Sequence, residues 1–123
     1  MRKALASEGP ALFSPAVIAS GKLVFVSGQV GSDPVTKQTP PDVESQTRIC
    51  IERLKAILEQ AGASLEDVVR ANVYLTDMAD FAKMNGVYRT FFPSEPPTRV
   101  TVGVSALAAP EFLVEIDVVA VID

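Results

Sequence analysis

Twice along this chain an apolar rhythm of three to four residues gives way to one of two, and that switch limits the architecture more than any other feature. Val43, Cys50, Ile51, Leu54, Ile57, Leu58 and Ala61 recur at helical spacing, while Glu52, Arg53, Lys55, Glu59 and Gln60 fall off the stripe, so a helix with one buried face is predicted. Thr39-Pro40-Pro41-Asp42 offers a hydroxyl, a proline and a carboxylate in the order of an N-terminal cap, which starts this helix at Thr39. Gly62 suits the residue just past its end. Ser64-Leu65-Glu66-Asp67 reads as a second capped turn, and Val68 to Leu75 as a strand ending at Thr76-Asp77. From Asp80, Phe81, Met84, Tyr88 and Phe91 mark a second helix that Pro93 stops, with Lys83, Asn85 and Arg89 on its other side. The rhythm of two then returns. Val100, Val102 and Val104 alternate with Arg99, Thr101 and Gly103; from Phe112 to Val121, Val114, Ile116, Val118 and Ala120 alternate with Leu113, Glu115, Asp117, Val119 and Val121.

Ahead of the first helix, Val17-Ile18-Ala19 and Leu23-Val24-Phe25-Val26 flank Ser20-Gly21-Lys22, a hairpin signal, and the second run ends at Ser27-Gly28-Gln29. Gly31 to Pro34 and Lys37 to Pro41 then read as a surface loop. Strands before and after two amphipathic helices predict an α/β fold in which a sheet carries both helices on one face. The opposite face is left bare, with Val119 and Val121 beside Glu115 as an exposed apolar patch that oligomerisation would bury. No repeat or linker divides the 123 residues, so residues 1–123 are expected to form a single domain around one core.

Composition removes several function classes. There is no histidine and one cysteine, Cys50, so zinc cages and histidine-dependent triads are excluded and no cofactor is called for. A formal charge of −4 without blocks of like charge gives no general attraction for nucleic acid. No apolar run is long enough to span a bilayer, and Glu8-Gly9-Pro10 follows Arg2 and Lys3 where a signal peptide would need an apolar stretch, so a cytoplasmic protein is expected. No G-x-G-x-x-G or G-x-x-x-x-G-K-[ST] motif occurs.

Two charged residues lie in strongly patterned strands. Arg99 has small neighbours, Thr101 and Gly103, on its face, which would let the guanidinium grip a carboxylate through two parallel hydrogen bonds; a solvated arginine at a strand edge fits the same pattern. Glu115, between Val114 and Ile116, needs a partner or a wet rim. Cys50 falls on the apolar stripe and reads as an inert packed thiol, and Phe81, Met84, Tyr88 and Phe91 read as core. Gly28 would admit a ligand to the backbone or mark a bulge, and Asn85 is open to either reading.

Pro97-Thr98-Arg99-Val100-Thr101-Val102, then Ser105 and Leu107, then Val114-Glu115-Ile116-Asp117 closely resemble the C-terminal signature of the RidA/YjgF family of reactive intermediate deaminases, also called the endoribonuclease L-PSP family. Phe13-Ser14-Pro15-Ala16-Val17, Val26-Ser27-Gly28-Gln29 and Phe81-Ala82-Lys83-Met84-Asn85 with Tyr88 and Phe91-Phe92 extend the resemblance over nearly the whole chain. It implies a chorismate-mutase-like fold, a homotrimer, and clefts between subunits where small 2-imino acids are hydrolysed to 2-oxo acids and ammonium. By position, Arg99 would bind the substrate carboxylate and Glu115 would orient the attacking water, with Phe13, Ser27, Gly28, Asn85 and Thr101 lining the cleft.

The chain departs from the family pattern at Phe13, where many members have tyrosine, and at Pro15, Thr101 and Asp117. Phe13 withdraws a hydroxyl that could hold water or substrate. Three other readings compete: a non-catalytic binder of 2-oxo acids on the same fold, a ribonuclease or translation inhibitor, and a chorismate mutase. The absence of histidine and the acidic balance weigh against the ribonuclease, and the single well-placed cation against the mutase.

Overall fold

The computed structural model describes residues 1–7, 9 and 11–123; Glu8 and Pro10, in the stretch read against a signal peptide, lie outside the described residues. The elements in order are β1 (Arg2–Ala4), β2 (Val17–Ala19), β3 (Lys22–Val30), α1 (Val43–Gln60), β4 (Val68–Leu75), α2 (Phe81–Phe91), β5 (Thr98–Gly103) and β6 (Val114–Ile122). The main sheet runs β3-β6-β4-β5, with β4 and β5 parallel and the other pairs antiparallel, while β1 and β2 form a separate ladder. The sheet is therefore mixed, and α1 and α2 pack together on one of its faces, as the alternation of periods requires.

The core lies between that face and α1. Cys50, Ile51, Leu54 and Leu58 are fully buried against Val73, Val114, Ile116, Val118 and Ala120, each large apolar side chain contributing about 1.5 to 3 kcal/mol by leaving water. Gln46 and Thr47 sit on the same stripe without being apolar. Gln46 reconciles this by donating to the carbonyls of Pro40 and Glu111 and accepting from the Leu113 N–H; the Thr47 hydroxyl donates to the carbonyl of Val43.

Three expectations need correction. The first helix starts three residues later than its proline signal, with Asp42 as N-cap accepting from the Ser45 N–H at 2.8 Å. Pro40 precedes another proline and is driven out of helical backbone, so Asp42 is the first residue able to cap. Val17–Ala19 and Leu23–Val26 are not a hairpin: β2 pairs with β1, and β3 with β6. Gly21, at φ 133°, bends the chain from one ladder to the other, and a Cβ there would run into the carbonyl of Ile122. Finally, the bare face is apolar at other residues. Val121 is buried and Val119 half-buried, whereas their cross-strand partners Leu23 and Phe25 are exposed, Phe25 at 73%, together with Val100 and Val102 on β5.

The C-terminal end of α1, with Gly62 at φ 80° beyond Ala61, and the turn in which Asp67 accepts from the Ser64 N–H agree with the sequence pattern. Among the described residues no helix is long and apolar enough to cross a membrane.

Candidate functional site

Arg99 is not a solvated edge residue. It pairs with Ala71 of β4, which also pairs with Val118 of β6, so its side chain enters the helix side of the sheet and is only 9% exposed. There it meets aromatic rings rather than carboxylates. Its Cζ lies 4.7 Å from the centroid of Tyr88, 5.6 Å from Phe13 and 5.8 Å from Phe81. A cation on an aromatic face in a desolvated setting gains about 2 kcal/mol, enough to hold the side chain in place but not to satisfy its N–H groups. Nε and Nη1 are buried without an acceptor. Burial lowers the Arg99 pKa below the ordinary arginine value, with Tyr88 acting in the opposite sense; arginine stays charged at any pH of interest.

Local structure explains each wall. Phe81, Asn85 and Tyr88 follow at spacings of four and three and so share one face of α2. Asn85, expected on the other side of the helix with Lys83 and Arg89, is in fact 4% exposed, and Phe81, expected in the core, is 38% exposed at the helix start. Phe13 is held beside β5 by its neighbour: the Ser14 hydroxyl donates to the carbonyl of Pro96 at 2.5 Å and its N–H to that of Pro97 at 3.1 Å. Phe13 itself is 44% exposed, so it forms a rim rather than a floor. Thr101 shares Arg99's face of β5 two residues on.

The buried polar atoms without partners are Asn85 Oδ1, Tyr88 Oη, Arg99 Nε and Nη1, and Thr101 Oγ1. All belong to this one face of α2 and β5. Burial pushes the Tyr88 hydroxyl well above its ordinary pKa, so it stays protonated and can donate. Unsatisfied groups cost about 1 to 3 kcal/mol each, and such a concentration marks a place built for something other than stability. What it offers is a buried cation with two free N–H groups of its own, the Tyr88 and Thr101 hydroxyls, the Asn85 amide oxygen and an aromatic rim, a recognition set for a small carboxylate.

Glu115 lies elsewhere in the same chain. It pairs with Tyr74, three residues along β4 from the partner of Arg99, and so projects from the bare face of the sheet. Its carboxylate rests on Gly28, where a Cβ would overlap Oε2 and come within 2.8 Å of Cδ. Ser27 and Gly28 are exposed beside it. Further along this face Asp117 accepts from Asn72 Nδ2 and from the Tyr74 hydroxyl, both at 2.8 Å, and this carboxylate raises the Tyr74 pKa. The sequence-derived residues thus fall into two groups, Phe13, Asn85, Arg99 and Thr101 on one side and Ser27, Gly28 and Glu115 on the other. The sheet separates them. Phe81 and Tyr88 join the first group unforeseen, although their shared helix face with Asn85 was a readable signal.

Cys50 takes no part. It is fully buried, its Sγ lies 3.7 Å from the carbonyl of Val114, and burial pushes its thiol up to about 12. Among the described residues no cluster of three or more His, Cys, Asp or Glu could hold a metal ion.

Comparison with known proteins places these features in a family. The family model described as endoribonuclease L-PSP matches residues 1–122. A RutC family protein of Pyrococcus abyssi is 48% identical over 101 residues, covering 81% of this chain and 79% of its own. TdcF of Escherichia coli, a candidate reactive intermediate deaminase by name, is 40% identical over 104 residues, covering 82% and 80%. Among solved structures, RidA from an Antarctic Psychrobacter superposes with a TM-score of 0.79 at 40% identity, over 98% of this chain and 94% of that one. E. coli TdcF with bound serine superposes with a TM-score of 0.79 at 36% identity, again over 98% and 94%.

Proposed function

The chain belongs to the RidA/YjgF family, the family of the endoribonuclease L-PSP model, and on that premise we propose that it hydrolyses small 2-imino acids to 2-oxo acids and ammonium, at sites completed between the subunits of a homotrimer. The observation that carries this reading is Arg99: a buried guanidinium with two unpartnered nitrogens, walled by three aromatic rings and paired with no carboxylate of the chain among the described residues. A substrate carboxylate is the partner it lacks. E. coli TdcF holds serine, a small amino acid bearing such a carboxylate, on the same fold.

The reaction adds water to the C=N carbon, then expels ammonia from the resulting carbinolamine as the C=O bond forms. Glu115 would take a proton from the attacking water and pass it to the imine nitrogen. It would then take the carbinolamine hydroxyl proton as the C=O bond forms and hand it to the departing amine, which leaves as ammonia and is protonated in solution; Arg99 would hold the carboxylate so that the imine carbon faces that water. Imine hydrolysis is already fast in water, so positioning and one carboxylate are a sufficient catalytic set. Neither step calls for a metal or cofactor.

Because Arg99 and Glu115 project from opposite faces of one sheet, a substrate held by Arg99 would receive its Glu115 from a neighbouring copy. The exposed Leu23, Phe25, Val100 and Val102 supply an apolar face for that contact. The acidic balance and lack of histidine favour this chemistry over RNA cleavage.

A coupled assay tests the proposal: a pyridoxal-phosphate threonine or serine dehydratase generates the imine, and its disappearance is followed with and without this protein. Acceleration by the wild type, lost in Arg99→Ala, is expected. Binding of 2-oxo acids with no acceleration would make the chain a non-catalytic binder, with Phe13 as the first residue to revert.

A further inference from the structure

The reaction assigned to Glu115 requires its carboxylate to be held still, and the segment it rests on has an unusual construction. Between the pairs Val26–Val118 and Gln29–Ile116, β3 has two residues, Ser27 and Gly28, where β6 has only Asp117. This extra residue is a bulge, and it reverses the alternation of the strand. Leu23 and Phe25 point away from the helices, but Gln29 lies on the helix side with Ile116.

The reversal delivers the Gln29 side chain to α1. Its Oε1 accepts from Arg53 Nε at 3.1 Å, and its Nε2 donates back to the carbonyl of Ser27, also at 3.1 Å. The same guanidinium donates through Nη1 to the carbonyl of Ser32 at 2.7 Å. Arg53 therefore ties the segment 27–32 to the helix, at Ser32 directly and at Ser27 through the Gln29 side chain, and its neighbour Leu54 is fully buried in the core. Gly28 lies within that segment and forms the seat of the Glu115 carboxylate. Arginine suits the task because its planar fork reaches two acceptors at fixed angles, which lysine cannot do.

We propose that Arg53 and Gln29 are positioning residues for Glu115: they lock the Ser27-Gly28 bulge from the helix side and so fix the carboxylate on the opposite face. This rests on the reading of Glu115 as the group that activates water. It adds two residues that touch neither substrate nor Glu115 and whose loss should be felt in turnover rather than in binding.

The test uses the coupled imine assay on the intact protein, with Arg53→Met and Gln29→Glu made in the wild type and in Glu115→Ala. Arg53→Met removes both anchors. Gln29→Glu keeps an acceptor for Arg53 but deletes the donor to Ser27, which separates the bulge contact from the helix contact. Each should lower kcat roughly tenfold to a hundredfold while KM stays within about twofold, because the Arg99 side is untouched. Neither should lower kcat further in Glu115→Ala. A kcat within about twofold of wild type in both variants, or a loss that multiplies that of Glu115→Ala, overturns the positioning role. Failure of the underlying reading has a different signature: Glu115→Ala itself would turn over like wild type, or the wild type would not accelerate imine loss, and the role of Arg53 and Gln29 would fall with it.

Discussion

Replacing Arg99 by methionine separates what a buried cation does for the fold from what it does for the ligand. The guanidinium is 9% exposed, with Nε and Nη1 unsatisfied and only rings around it. Desolvating an unpaired cation costs several kcal/mol even after local relaxation, and the contacts with Tyr88, Phe13 and Phe81 offset about 2 of these. Methionine has a similar reach, packs against the same rings and carries no charge, so the variant should be more stable by about 1 to 2 kcal/mol. For a chain of this length that raises Tm by about 4 to 8 °C, read by differential scanning fluorimetry at one fixed protein concentration. Ligand recognition should fail at the same time. Losing one member of a desolvated charge pair costs about 2 to 5 kcal/mol, or about 30-fold to several thousandfold in kcat/KM. A 2-oxo acid such as 2-oxobutanoate at a hundred times its Kd should add about 2.7 kcal/mol of stability to the wild type and none to the variant. A variant that is less stable than wild type would show Arg99 to be a structural cation. One that keeps its turnover would remove it from the site.

Other substitutions probe the remaining parts. Phe13→Tyr places a hydroxyl at the rim beside Arg99, where it can hold the attacking water or the substrate carboxylate, and should raise kcat/KM for 2-iminobutanoate by about threefold to tenfold, the worth of one hydrogen bond; an unchanged kcat/KM would show that the rim does not contact substrate or water. Gly28→Ala places a Cβ against the Glu115 carboxylate and should lower kcat at least about tenfold with little change in Tm, since Gly28 is exposed; undiminished kcat would show that the seat is not needed. Cys50 should resist alkylation in the native protein at pH 8 and react on unfolding. Its thiol pKa is raised in the folded state to about 12, so its contribution to stability is fully present below about pH 9 and is lost as pH rises toward about 12, which chemical denaturation across that range would detect.

Most of the fold was legible because periodicity reports burial. The bounds of β4 and the inward set Val114, Ile116, Val118 and Ala120 on β6 follow from alternation alone. What pattern could not supply was pairing. Val17–Ala19 carries the same residue types whether it joins β3 or β1, and its own residues do not distinguish the two partners. Local signals also compete. Thr39 and Asp42 are both good caps, and the double proline between them chooses. At the candidate site, the resemblance named the signature residues but not the face of the sheet that each one enters. Alternation places Arg99 and Thr101 together, yet nothing in the residues says that this face meets α2 while Glu115 turns away from it. Asn85 was misplaced because a polar residue on an amphipathic helix is ordinarily assigned to water. Here the polar residue is buried beside an arginine-bearing strand, and stability alone does not account for it.

The central claim is that Arg99 of one copy works with Glu115 of another, and complementation tests it directly. Arg99→Ala and Glu115→Ala, each strongly impaired alone, are unfolded, mixed in equal amounts and refolded together. If every site takes its arginine from one subunit and its glutamate from the next around a closed ring, random mixing restores about one quarter of the sites, and about one quarter of wild-type imine turnover should return. No recovery from mixed assemblies that have formed would mean that both residues serve a site within one chain, or that they do not serve one site at all.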